Sequence, residues 1–300
     1  MRGKPVESDI YGIVPPMVTP FTDADTVNLA AVAEDATYLV EEANVHGLAV
    51  CGSTGEGHAI TTDETRAITA TVVEAVKDRV PVITGIIANS TKASVERGKA
   101  VADLGVAALQ VTPVHYLFRP SDEAMVDHFR RLAEETGLPV MIYNVVPWSY
   151  LSPALLERII DEVDGVIGVK QSAGDMKLLA DLLVRASDRA RIMSAVDALL
   201  YPSFALGAHG AIAAVLTAAP TLCVDVWEAV EQGDHTRARA THEKLLAIWN
   251  AIEADNLPAN VKFAMSLQGR DGGKPRPPMP EPEGERRGVI EAALAGGELL

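Results

Sequence analysis

The chain has 300 residues, 48% hydrophobic and 22% charged, an ordinary soluble composition with room for one large α/β barrel or two medium domains. A formal net charge of −15 argues against nucleic-acid and membrane-surface binding, and no apolar run is long enough to span a bilayer. Two cysteines, Cys51 and Cys223, form no disulfide or zinc-ligand pattern, and the start MRGKPVESDI lacks a signal peptide's apolar core, so a cytoplasmic protein is expected.

From Gly12 onward, short Val/Ile-rich runs alternate with longer amphipathic stretches. Strands are predicted at Gly12–Met17, Gly47–Cys51, Pro81–Gly85, Ala107–Thr112, Pro139–Tyr143, Val166–Lys170, Ile192–Ala195 and Ala211–Val215. Helices are predicted between them at Asn28–Ala43, Thr62–Asp78, Lys92–Leu104, Ser121–Glu135, Ser152–Ile160, Met176–Ala186 and Asp197–Leu206. Thr61, Ser121 and Ser152 stand where helix N-caps belong, the last with Pro153 at the first helical position. Strands recur every 20–36 residues or so, about the length of a βα unit, and eight such units favour a closed (β/α)8 TIM barrel. Past the eighth strand the pattern turns helical at Pro220–Glu231, Thr236–Glu253, Val261–Leu267 and around Val289–Ala295. The proline-rich segment Lys274–Pro282 cannot form regular structure. The expected organisation is a barrel over residues 1–232 and a helical C-terminal extension over 233–300.

Candidate chemistry collects at predicted strand ends. In an α/β barrel the C-terminal ends of the strands face the active site. After the second strand comes Cys51-Gly52-Ser53-Thr54-Gly55-Glu56-Gly57, whose glycines, N–H groups and hydroxyls suit a carboxylate or phosphate. It has neither the Gly-Lys-Ser/Thr ending nor the spacing of a nucleotide loop, and a plain glycine turn is the rival reading. The fourth strand leads into Thr112-Pro113-Val114-His115-Tyr116-Leu117-Phe118, an apolar-aromatic loop. Tyr143 closes the fifth strand as either a proton shuttle or a rim tyrosine. Lys170 closes the sixth, Gly165-Val166-Ile167-Gly168-Val169-Lys170, either as a solvated strand end or as a partly desolvated amine able to attack a carbonyl. Histidines lack His-x-His or His-Glu-x-x-His spacing, so no metal site is expected. No Gly-x-Ser-x-Gly elbow is present, which argues against a serine hydrolase.

Together, GSTGE after the second strand, TP plus tyrosine after the fourth, YN closing the fifth and GVK closing the sixth resemble the dihydrodipicolinate synthase/N-acetylneuraminate lyase family. These are class I, pyruvate-handling aldolases, and the resemblance runs from Gly12 to Arg270. It implies a (β/α)8 barrel with a helical C-terminal domain, usually assembled as a homotetramer; a homo-oligomer, tetramer or dimer, is the expectation. It further implies that Lys170 forms a Schiff base with a 2-keto acid such as pyruvate and that Tyr143 relays protons, with Thr54 as hydroxyl partner. Ser53 and Thr54 would hold the keto-acid carboxylate, and the Ile212 carbonyl would line the pocket. The strand-4 loop tyrosine that completes the relay matches Tyr116, with His115 as the alternative. The covalent imine on Lys170 is the only electron sink, so no cofactor is expected.

Two departures bear on the second substrate. Members that make dihydrodipicolinate carry an arginine shortly after YN-x-P, whereas here YNVVPWSYL brings Trp148 and no arginine. The sialic-acid branch grips its sugar with Gly-x-Asp-Glu on the seventh strand, and Ala195-Val196-Asp197-Ala198 retains only Asp197. The expected partner is therefore an apolar or aromatic aldehyde, not aspartate semialdehyde, with Trp148 and Asp197 in the pocket. Dehydration or deamination of a 2-keto acid through the same imine, a catalytically idle binding barrel and a phosphate-binding barrel are the competing readings.

Overall fold

Continuous runs of Val, Ile, Leu and Ala suit strands buried on both faces, and such runs build a parallel sheet here. The computed structural model describes residues 9–300, so most of the N-terminal stretch read for a leader lies outside the described residues. The strands are β1 (Gly12–Ile13), β2 (Leu48–Val50), β3 (Val82–Ile86), β4 (Ala108–Val111), β5 (Val140–Asn144), β6 (Val166–Gln171), β7 (Arg191–Ser194) and β8 (Gly210–Ala211). They pair in parallel in the order β1-β8-β7-β6-β5-β4-β3-β2. A parallel bridge between Pro16 and Ala49 closes the seam: Met17 N–H donates to the Ala49 carbonyl at 2.8 Å, and Ala49 N–H to that of Pro15 at 3.0 Å. The result is a (β/α)8 barrel.

Helices α1 (Leu29–Glu41), α2 (Thr62–Val76), α3 (Thr91–Lys99), α4 (Asp122–Thr136), α5 (Pro153–Glu162), α6 (Met176–Ala186) and α7 (Leu200–Ala205) follow β1 to β7 in turn. Their starts are held by the expected side chains. Thr61 and Glu64 form a reciprocal capping box on α2, while Ser121 and Ser152 accept from Ala124 N–H and Leu155 N–H. Beyond β8 come α8 (Val215–Ala218), α9 (Pro220–Glu231), α10 (His235–Ile252), α11 (Leu257–Leu267) and α12 (Glu285–Gly296). Trp227, Leu245, Ile248, Ile290 and Leu294 from these helices join the apolar cluster that contains Ile13 and Leu48. A buried ion pair reinforces the join: Arg270 donates to the Asp35 carboxylate of α1 at 2.6 and 3.0 Å. Among the described residues no helix is long and apolar enough to cross a membrane.

Several element bounds differ from those read in the sequence. β1 stops at Ile13 because Pro15 and Pro16 lack the N–H groups a ladder needs. β8 stops at Ala211, since Val215 N–H is taken by the Asp197 carboxylate and the chain turns into α8. α3 ends at Lys99 and not Leu104, giving way to turns that lead to Gly105 at φ +76°. The first residues of the predicted seventh helix form a 3-10 turn, Asp197–Leu199, before α7 begins. α11 and α12 both start earlier than the periodicity indicated.

One buried histidine makes the fold acid-sensitive. His128 on α4 has its Nδ1 3.0 Å from the Thr91 hydroxyl, while its Nε2 is buried without a partner. Burial, with help from Arg131, pushes the imidazole down to about 4 from an ordinary 6.5. The unfolded chain thus binds a proton that the folded chain refuses between those values, and stability falls as pH drops below about 6.5. Chemical denaturation is expected to show wild type losing about 2 kcal/mol through this group between pH 7 and pH 5. His128→Asn should remove that part of the loss, and an equal loss in both proteins would contradict the assignment.

Candidate active site

The ends of β2, β5, β6, β7 and β8 surround a cavity of about 380 Å³ that contains the lysine singled out in the sequence. Lys170 lies one residue before the end of β6, in register with Tyr143 on β5 and Met193 on β7. It is 3% exposed, and its Nζ sits 3.8 Å from the centroid of the Tyr143 ring. No hydrogen bond or ion pair to a described residue occupies this amine, which leaves it free to meet a ligand. The Tyr143 hydroxyl donates to Ser53 Oγ at 3.1 Å, linking the lysine to the loop after β2. Asn144, the other half of the YN pair, is structural. Its amide donates to the Leu151 carbonyl and to Gln171 Oε1, and its oxygen accepts from Leu151 N–H, clamping the loop after β5 to the end of β6.

The loop after β2 is held in a conformation that few sequences allow. Cys51 and Glu56 have φ of +59° and +54°, where side chains are strained. Gly57 is obligatory, because a Cβ there would lie 2.0 Å from the Cys51 carbonyl oxygen. Folded this way, the loop presents Ser53 and Thr54 to the cavity. The N–H groups of Ser53, Thr54 and Gly55 donate to no backbone carbonyl among the described residues. These unspent donors and two hydroxyls form a nest suited to a small carboxylate. Burial pushes the Cys51 thiol up to about 12, so it is no nucleophile despite its position.

Asp197 supplies a negative charge beside Lys170. Its carboxylate accepts from Val215 N–H at 2.7 Å and so fixes the loop after β7 to the start of α8. Burial pushes the pKa of this carboxyl up to about 6, opposed by the Val215 N–H and by the positive charge of Lys170. Ile212 of the segment after β8 lies at the cavity wall, with Ser172, Ala195, Ala213 and Ala214 beside it.

Six of the residues singled out in the sequence, Lys170, Tyr143, Ser53, Thr54, Asp197 and Ile212, thus share one cavity. Tyr116 and Trp148 do not line it, being 62% and 67% exposed. The placement of Trp148 in the pocket is corrected accordingly. Its indole N–H donates to the His115 carbonyl at 3.0 Å and holds the ring against the strand-4 loop. His115 is itself turned back, with Nδ1 2.9 Å from the Pro113 carbonyl. Conversely, Asp255, Leu257, Pro258 and Met279 line the cavity without having been singled out, and so does His58, which its place near a predicted strand end marks in the sequence only as structural or substrate-adjacent. His58 directly follows the GSTGE loop, which was the available signal; the other four lie in the C-terminal segments, where nothing local marks them.

The weakened acidity of Asp197 has a consequence for stability. Its folded value lies above the ordinary 3.8, so the fold favours the protonated carboxyl and loses that contribution as pH rises through about 6. Asp197→Asn keeps an oxygen for Val215 N–H and removes the charge. The variant should be more stable than wild type at pH 8, by on the order of 1–2 kcal/mol after solvent screening, with the gain shrinking at pH 5. Thermal melts at the two pH values check this, and a pH-independent difference would contradict it.

A family model described as the dihydrodipicolinate synthetase family matches residues 9–296. The chain is 33% identical over 294 residues to a 4-hydroxy-tetrahydrodipicolinate synthase of Methanopyrus kandleri, covering 97% of each chain. It is 35% identical over 295 residues to an uncharacterized DapA-like lyase of Halobacterium salinarum, covering 97% of this chain and 95% of that one. Among solved structures, YagE, a prophage protein from E. coli K12 in complex with pyruvate, matches with a TM-score of 0.91 at 26% identity, covering 97% of this chain and 99% of that one. With that agreement running along almost its entire length, the chain belongs to the dihydrodipicolinate synthetase family of enzymes.

Proposed function

We propose that the protein is a class I lyase that binds pyruvate as an imine on Lys170 and makes or breaks a carbon–carbon bond to an aldehyde. One observation carries the reading: a buried, unpaired lysine amine stands over the ring of a tyrosine whose hydroxyl donates to Ser53, all within one cavity. The keto-acid carboxylate fits the donors of Ser53 and Thr54, which brings the neighbouring carbonyl toward Lys170. Nζ attacks that carbonyl and water leaves. The resulting iminium accepts the electron pair released when the adjacent carbon loses a proton or when a bond from it to an aldehyde carbon breaks. Tyr143, with Thr54, passes the protons these steps require. The imine itself is the electron sink, and no further cofactor enters the scheme.

Water or ammonia elimination from a 2-keto acid through the same imine is the close alternative. Release of pyruvate from a 4-hydroxy-2-keto acid distinguishes the aldolase from it. Aspartate semialdehyde is a poor candidate for the acceptor. No arginine lines the cavity among the described residues, and Arg276 nearby is committed to Glu64 and Asp25. An anionic tail would lose its hydration without gaining a cationic partner. We also place Tyr116, Leu117, Phe118 and Trp148 at a contact with a second copy of the chain, in a dimer or tetramer. Their exposure, between 60% and 87%, forms an apolar patch beside the barrel mouth, and such a contact would bring Tyr116 of one copy toward the relay of the other. A cytoplasmic setting fits the two free, buried cysteines.

Borohydride reduction in the presence of pyruvate should add one adduct per chain by intact mass, and peptide mapping should locate it at Lys170. An adduct on another lysine would end the proposal, as would an unchanged mass in folded protein, and only the latter would support an idle barrel. Lys170→Arg should abolish both adduct and turnover, because guanidinium stays protonated and cannot attack. Tyr143→Phe should keep the fold and lower kcat by roughly 10²–10⁴-fold. Near-wild-type turnover in that variant would refute the proton relay and leave a packing role alone.

A further inference from the structure

The cavity does not end above Lys170. It opens outward into a second, largely solvent-exposed chamber of about 590 Å³, and the two share His58, Asp255 and Met279 as lining residues. Pyruvate, with three carbons, fills only the inner end. The far wall of the outer chamber is the strap Arg276-Pro277-Pro278-Met279-Pro280, with Ala59 and Asn256 completing it.

This wall is anchored at both the backbone and the side chain. Arg276 N–H donates to Glu56 Oε2 at 2.9 Å, so the strap hangs from the same loop that carries Ser53 and Thr54. The Arg276 guanidinium donates to Glu64 at 2.7 and 3.0 Å and to Asp25 at 2.8 Å, so its charge is already balanced by two acids although the residue lines the chamber. In return Arg276 holds the Glu64 carboxyl down at about 2. At the neck, by contrast, the Asp255 carboxylate and the His58 ring are solvent-exposed and make no hydrogen bond or ion pair with any described residue. The inner chamber adds the Asp197 carboxylate. The apolar surface comes from prolines and Met279, and the unspent polar groups at the neck include an acid with no cation to balance it.

We propose that the neck and outer chamber form the subsite for the acceptor's tail, selecting an uncharged tail with an apolar body and a terminal hydroxyl, and rejecting tails that end in carboxylate. The proposal rests on the reading of Lys170 as the imine former. Asp255 selects by sign of charge, accepting a hydrogen bond from a hydroxyl and repelling an anion. Met279 selects by shape, because its flexible side chain sets the width of the neck.

The test uses the full-length enzyme with pyruvate and three aldehydes: ethanal, 6-hydroxyhexanal and 6-oxohexanoate. The second and third have equal length and differ at the tail end in charge. Wild type should favour 6-hydroxyhexanal over 6-oxohexanoate in kcat/KM by about tenfold or more. Asp255→Lys should reverse that order, and Met279→Trp should lower the 6-hydroxyhexanal to ethanal ratio by about tenfold. Borohydride trapping of pyruvate, read by intact mass in each protein, reports whether Lys170 works. Adducts in all three proteins with unchanged aldehyde selectivity would overturn the subsite while leaving the imine intact. Absence of an adduct in wild type would overturn the imine reading and the subsite with it.

Discussion

The walls of the candidate active site converge on one buried ion pair. Glu56 and Lys262 are 1% and 2% exposed, and all three N–H groups of the Lys262 ammonium are satisfied. They donate to Glu56 Oε1 at 2.5 Å and to the Thr19 and Lys274 carbonyls at 2.7 Å each. Burial pushes the Lys262 amine down, and the facing Glu56 charge opposes that shift. Removing either partner strands a charge in the interior, which typically costs about 3–5 kcal/mol. Through this pair the loop after β2, helix α11 and the proline strap are held together. Those three segments carry Ser53 and Thr54, Leu257 and Pro258, and Met279, so one interaction positions both the carboxylate nest and the outer wall.

The barrel supplies the opposite wall by a different means. Register between β5 and β6 sets Tyr143 beside Lys170, and the strand ladders leave those side chains no freedom to separate. Strain and uncompensated charge gather where ligands would bind: positive φ at Cys51 and Glu56, an aspartate whose charged form burial penalises, and an unpartnered lysine. Such features lower stability and persist because the surrounding barrel over-determines them.

The barrel was legible in the sequence because parallel strands buried on both faces are written as unbroken apolar runs, and a charged residue such as Lys170 at the end of one stands out. Helix starts were legible for a local reason too, since Thr61, Ser121 and Ser152 cap within their own first turn. The closing strands were overextended because Pro15, Pro16 and the capping of Val215 by Asp197 override apolar periodicity. Trp148 shows the limit at the site. Its chemistry suits a pocket wall, but a single hydrogen bond to the His115 carbonyl aims the ring elsewhere. Asp255 and Met279 were invisible for a related reason: they come from distant irregular segments, which the Glu56–Lys262 pair, Arg276 and the Asn256 amide on the Pro280 carbonyl bring to one neck with His58.

The most direct test of the whole account is a crystal structure of the protein soaked with pyruvate. The account predicts continuous electron density from Lys170 Nζ to the second carbon of pyruvate, with the carboxylate against Ser53 and Thr54 and the Tyr143 hydroxyl beside the new bond. Pyruvate bound without a covalent link to Lys170, or joined to a different lysine, would contradict it.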